Sequence, residues 1–205
     1  AVISVSMPPA ISTAGIRPPA VAGTFYPAED AARRELVNSI CKGDAPPQTS
    51  PLAVMVPHAG LKYSGRIAAQ VWRSIADLDG RTLLIVSPKH TTGGVNWSVS
   101  PCERWRLSAG TSFASDTELA NKLVSHVAAL QLDAAAHQQE HGIEVQLPIL
   151  EKVAPQVKVT GVAVHGGSWT DIQQAAVELA AVIRDLPQPP LLVISSDMNH
   201  YAPDA

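Results

Sequence analysis

Four short apolar runs, each stopped by turn-forming residues, constrain this chain more than any other feature. They are Leu52–Val56 before Pro57-His58-Ala59-Gly60, Thr82–Val86 before Ser87-Pro88-Lys89-His90, Val157–Val164 before His165-Gly166-Gly167, and Leu191–Ile194 before Ser195-Ser196-Asp197. Continuous apolar runs of this length suit strands covered on both faces, as in a parallel sheet. Helical patterns lie between them. Ile67, Val71, Ile75 and Leu78 recur at helical spacing. Leu119, Leu123, Val127 and Leu130 follow a capping box of Ser115 and Glu118, and Ile172, Ala175, Leu179, Val182 and Ile183 follow one of Ser168 and Asp171. A short helix is expected over Ala28–Ser39. Pro148 falls within the apolar stretch Ile143–Val153, where it kinks a helix or marks a late start. Val95–Leu107 alternates loosely around Trp97 and Trp105 and reads as a hairpin. The expected fold is α/β, with a central, mostly parallel sheet flanked by helices.

At 205 residues, with 46% hydrophobic and 16% charged side chains, the chain can bury a core without disulfides, so a disordered chain is excluded. A net charge of −3 argues against a nucleic-acid binder with a broad basic face. No apolar run reaches the roughly 20 residues of a membrane helix. Cys41 and Cys102 are too few for a disulfide framework and point to a reducing, cytoplasmic setting. Residues 1–16, small and apolar without Lys or Arg, read as a flexible arm rather than a signal peptide.

The polar residues that end the runs suggest a site. In an open α/β sheet, ligands bind beyond the carboxyl ends of the strands. Parallel neighbours would bring His58, His90, His165, and Asp197 with His200, to one edge. Imidazoles from separate strands are good ligands for Fe, Zn or Cu, provided a third ligand and an open position are present. A histidine beside the metal but not bound to it can move protons near neutral pH. His165 reads as a loop residue, His126 as a core-edge residue, His137 as a loop residue, and both cysteines as inert thiols.

Five sequence blocks in order carry a resemblance. They are Arg17-Pro18-Pro19-Ala20-Val21-Ala22-Gly23-Thr24-Phe25-Tyr26-Pro27; Val56-Pro57-His58-Ala59-Gly60 with Tyr63-Ser64-Gly65; Ser87-Pro88-Lys89-His90; Glu140-His141-Gly142-Ile143-Glu144-Val145-Gln146-Leu147-Pro148; and Ser195-Ser196-Asp197-Met198-Asn199-His200-Tyr201. Together they resemble the MEMO family, whose bacterial members are called AmmeMemoRadiSam system protein B. That family is similar in fold to the class III extradiol ring-cleavage dioxygenases.

The resemblance implies a metal site at one end of the sheet, with His58 and His90 as ligands and Fe(II) as the expected metal, Cu or Zn being the alternatives. It implies His200 as the catalytic acid or base with Asp197 beside it. His141, Glu144, Tyr63 and Lys89 are expected to line the substrate pocket. Where the family has Gly-Pro-Ser or Gly-Pro-Asn before the second histidine, this chain has Ser87-Pro88-Lys89, which sets a cation beside the metal position. The family's third ligand is a cysteine nearer its C-terminus. Neither Cys41 nor Cys102 holds that position, so residues 17–205 are expected to form one MEMO-like domain without the family's C-terminal portion. The implied function is a dioxygenase-like oxidoreductase acting on a small molecule. The alternatives are a binding module for a peptide or small molecule with a degenerate metal pocket, or a metal hydrolase. The bacterial family name also implies a functional link to a radical SAM protein.

Overall fold

The structure is a computed structural model that describes residues 15–198. In chain order it forms β1 (Ile16–Arg17), α1 (Asp30–Ile40), β2 (Ala53–Val56), α2 (Leu61–Arg73), β3 (Thr82–Pro88), β4 (Trp97–Val99), β5 (Arg104–Arg106) and β6 (Ser112–Ala114). There follow α3 (Thr117–His126), β7 (Gln131–Leu132), α4 (Ala135–Gln138), a single 3₁₀ turn (Glu144–Gln146), α5 (Leu147–Val153), β8 (Lys158–Val164), α6 (Trp169–Arg184) and β9 (Leu191–Ser195). The arm expected over residues 1–16 lies outside the described residues except for its last two.

The four apolar runs become adjacent strands of a six-stranded sheet ordered β2-β9-β3-β8-β4-β7. β2, β9, β3 and β8 run parallel to one another, and β4 runs antiparallel to β8. Val56 pairs with Ser195, Val86 with Ile194 and Ser87 with Ala163. That register aligns the carboxyl ends of all four parallel strands on one edge.

One core lies under Val56, Leu83, Ile85, Val159, Leu191 and Val193 and packs the strands against α1, α2 and α5. The other holds Leu84, Val99 and Val162 against α3 and α6. The alternation along β3, with Leu83 and Ile85 on one side and Leu84 on the other, shows why its run has no polar face. No helix among the described residues is long and apolar enough to cross a membrane.

Three local expectations are corrected. Val95–Leu107 is not a hairpin: β4 pairs with β8 in the large sheet, whereas β5 joins the three-stranded sheet β1-β5-β6. The buried Trp105 instead donates its indole N–H to the Val159 carbonyl at 3.2 Å. Helix α2 ends at Arg73 and leaves Ile67 60% exposed. Its buried face is Leu61, Ser64, Gly65, Ala68, Ala69 and Trp72, and the small residues among them, Ser64, Gly65, Ala68 and Ala69, admit a close neighbour. A Cβ at Gly65 would stand 2.9 Å from the Ile40 methyl. Asp116 caps α3 in place of Ser115, its carboxylate accepting from the Leu119 amide at 2.9 Å. The Ser168–Asp171 capping box at α6 is present. Pro148 marks a late start: it stands in the first turn of α5, where its missing N–H costs nothing.

Candidate metal centre

β2 is followed by Pro57 and β3 ends at Pro88, residues without an N–H for the ladder, and the chain turns there. Beyond β2 the turn carries His58, which is 2% exposed. Beyond β3 it carries His90, whose side chain is 34% exposed. His141 arrives from the turn before the 3₁₀ segment. The ring centroids are 5.0 Å apart for His58–His90, 5.4 Å for His58–His141 and 4.2 Å for His90–His141. One ring nitrogen from each lies within 4.8 Å of those of the other two, so the three histidines can hold a metal ion.

Glu140 organises two of the three. Its buried carboxylate accepts from His90 Nδ1 at 2.7 Å, the His90 amide at 2.5 Å, the His141 amide at 2.8 Å and the Gly142 amide at 3.1 Å. A carboxylate only accepts, so His90 carries its proton on Nδ1 and leaves the Nε2 lone pair for a ligand role. Burial pushes the Glu140 carboxyl up, but the hydrogen bonds from the His90 ring and from the His90 and Gly142 amides outweigh it and hold the pKa at about 2. Burial, then repulsion from His90, brings His141 down to about 4, and burial also lowers His58. Both are therefore held toward the neutral form that binds metals.

Asp197 ties the β9 turn to the β2 turn. Its Oδ1 accepts from the amides of His58 at 2.7 Å and Ala59 at 3.2 Å, and its Oδ2 lies 3.9 Å from His58 Nε2. Gly142 is pressed between two turns. A Cβ there would lie 1.9 Å from Ser87 Oγ and 3.4 Å from His58 Nδ1. Phe25 covers His141, with ring centroids 4.5 Å apart.

With this geometry in hand, the comparison with known proteins is decisive. Residues 17–205 match the family described as Memo-like protein. The chain belongs to the Memo family. It is 34% identical to a MEMO1 family protein of Aquifex aeolicus, over 92% of this chain and 68% of that protein. It is 37% identical to one from Methanobrevibacter smithii, over 91% of this chain and 70% of that protein. A relative from Thermoplasma volcanium is 32% identical over 91% of this chain and 68% of its own length.

The remaining Memo-family positions expected at the pocket fall in different places. Tyr63 is 79% exposed on the outer side of the first turn of α2. Glu144 is fully buried in a separate network. It accepts from the Arg17 guanidinium, the amides of Ala20 at 2.8 Å and Val21 at 3.0 Å, and the Tyr26 hydroxyl at 2.6 Å. Its carboxylate thus faces the N-terminal segment and anchors the stretch that carries Phe25. Burial and the Glu144 charge together push the Tyr26 hydroxyl well above its usual pKa, so it stays a donor.

Lys89 is buried. Its amide donates to the Val164 carbonyl at 2.8 Å, and its own carbonyl accepts from His165 Nδ1 at 3.1 Å. His200 lies outside the described residues. His137 is a buried residue of α4 rather than a loop residue, and His126 is exposed. Cys41 and Cys102 are buried thiols whose pKa values burial raises.

Sequence reasoning missed Glu140, Phe25, Ser195 and Gln146. Three of them were marked only by adjacency: Glu140 directly precedes His141, Gln146 lies two residues after Glu144 in the same block, and Ser195 opens the Ser-Ser-Asp block. Phe25 lies more than a hundred residues from the histidine it covers, and no local signal connects them.

Proposed function

We propose that this Memo-family chain is a metal-dependent, dioxygenase-like oxidoreductase that binds Fe(II) through His58, His90 and His141 and acts on a small molecule. The observation that carries the reading is the convergence of three imidazoles from three separate turns, with Glu140 fixing the proton of His90 on the outer nitrogen. Three imidazoles form a donor set that suits Fe, Zn or Cu, and protein ligands in this number leave coordination positions open. The metal would supply Lewis acidity and one-electron redox chemistry at those positions.

The chain's own groups do the rest. Glu140 holds His90 and His141 in register. Asp197 holds the His58 turn and places a carboxylate oxygen at the edge of the cluster, where it can accept a hydrogen bond from a substrate hydroxyl. Phe25 shields one face of His141 from water. The partial exposure of His90 marks the side from which a substrate enters.

Metal content of protein purified without chelator or metal-affinity tag tests the reading, with His58→Ala, His90→Ala and His141→Ala alongside. About one iron per chain, lost in each variant, is the expected result. Absence of metal from the wild type even after anaerobic Fe(II) reconstitution would overturn it and leave a peptide- or small-molecule-binding pocket. Stoichiometric zinc with no iron uptake would replace the oxidoreductase by a hydrolase.

A further inference from the structure

We propose that Ser195 and Gln146 are positioning residues that lock the tautomer of His58, keeping its proton on Nδ1 and presenting the Nε2 lone pair to the cluster. The inference rests on the three-histidine reading above and adds to it a control over which nitrogen of His58 is free.

The relay starts in the core. The Trp72 indole N–H can only donate, and it donates to Gln146 Oε1 at 3.1 Å. That contact orients the Gln146 amide. Its nitrogen then directs two hydrogens to the Pro57 carbonyl at 3.0 Å and to Ser195 Oγ at 3.0 Å. All of these groups are buried: Trp72 is 1% exposed, and Gln146 and Ser195 are 0% exposed. Burial away from water means that each proton must be used within the network.

Ser195 has one hydroxyl proton. The Gly142 carbonyl, 2.5 Å from Ser195 Oγ, can only accept, so it takes that proton. The hydroxyl oxygen has already accepted from Gln146. His58 Nδ1 approaches it at 3.2 Å and must therefore be a donor. With the proton on Nδ1, Nε2 carries the lone pair.

A competing influence makes the lock necessary. Asp197 Oδ2 lies 3.9 Å from His58 Nε2. A carboxylate at that nitrogen favours a proton on Nε2, which would block metal binding. The Ser195 hydroxyl, its one proton committed to the Gly142 carbonyl and one lone pair to Gln146, can only accept from His58 and holds the balance the other way. The arrangement parallels the Glu140–His90 pair, with a neutral relay in place of a carboxylate.

The test is ¹⁵N-edited NMR of the histidine rings in metal-free protein at about pH 8, where unperturbed imidazoles are neutral. In the wild type, His58 is expected to show Nδ1–H, as His90 does. In Ser195→Ala, His58 should shift to Nε2–H while His90 stays unchanged as an internal reference. Ser195→Thr, which keeps the hydroxyl, should restore the wild-type pattern. Zn(II) titration of the same samples should give affinity reduced about 10- to 100-fold in Ser195→Ala.

An Nε2–H His58 in the wild type, or an unchanged tautomer in Ser195→Ala, overturns the proposal. If Ser195→Ala does not fold, Ser195→Cys preserves the shape with a poor acceptor and must show the same tautomer shift. Failure of the metal reading is separable: a wild type that binds no Zn(II) yet shows the tautomer shift keeps the lock and discards the metal.

Discussion

At the scale of single residues, Gly142 and Glu144 do different work within one short block. Gly142 is defined by what it lacks. A methyl group there would meet Ser87 Oγ at 1.9 Å and crowd His58 Nδ1 at 3.4 Å. Gly142→Ala should destabilise the protein by about 2 kcal/mol through overpacking, read as a lower urea midpoint with an unchanged slope. Ser87→Ala in the same chain should recover part of that loss, because the nearest clashing atom is gone. The surviving deficit should be the 3.1 Å approach to Ser87 Cβ. Glu144 is defined by its charge. Arg17 and Glu144 face each other with side chains 5% and 0% exposed. Glu144→Gln keeps the shape but leaves the Arg17 cation uncompensated. Stability should fall by about 3 kcal/mol, the lower end for breaking a buried pair. A drop smaller than about 1 kcal/mol in urea unfolding would show that Arg17 finds other partners adequate, since it also donates to the carbonyls of His137 and Glu140.

At the scale of elements, the short helix α4 carries a proton-linked contribution to stability. His137 is 1% exposed, contacts Ser98 Oγ through Nε2 at 3.0 Å, and has no partner for Nδ1 among the described residues. Burial first, then the nearby Arg17 charge, lowers its pKa to about 4. The sign follows directly. The unfolded chain, with a histidine pKa of about 6.5, takes up the proton before the folded chain does. This contribution is therefore full above about pH 6.5 and is lost as the pH falls toward 4, by about 2 kcal/mol between pH 6.5 and 5. Urea midpoints across that window should decline, and His137→Gln should flatten the decline by the same amount.

The elements also show what a sequence makes legible. The four parallel strands were readable because each is a mostly apolar run with turn residues at its end, although only the inner strands are covered on both faces and the edge strand β2 leaves Met55 48% exposed. The α6 cap was readable because Ser168 and Asp171 act on each other within one turn. The buried face of α2 was not. Apolarity pointed to Ile67, whereas close packing selected Gly65, Ala68 and Ala69 for their small size. The separation of β4 from β5 was not readable either, because their partners, β8 in one case and β1 and β6 in the other, are set by long-range pairing.

At the scale of the whole molecule, the candidate centre is where separately folded segments meet. His58 arrives from β2, His90 from β3, and His141 from the turn before α5, with Phe25 laid over it by the segment that Glu144 anchors. Strand order decided this convergence. The ends of the runs suggested His58 and His90 at one edge, but the third imidazole comes from a turn that no periodicity locates. A metal held by all three histidines would bind the folded chain and not the unfolded one, and so would stabilise every segment it joins. Free metal at about 100 times its dissociation constant should add about 2.7 kcal/mol. For a chain of this size that corresponds to a rise in Tm of roughly 5–10 °C. Scanning calorimetry of metal-free and Fe(II)-loaded protein under anaerobic conditions should show the rise, and a chelator should reverse it. His141→Ala should abolish the shift while leaving the metal-free Tm nearly unchanged, because the ring is partly exposed. A full shift retained in His141→Ala would show that the metal is held without this third imidazole, and the centre would then have to be completed by another donor.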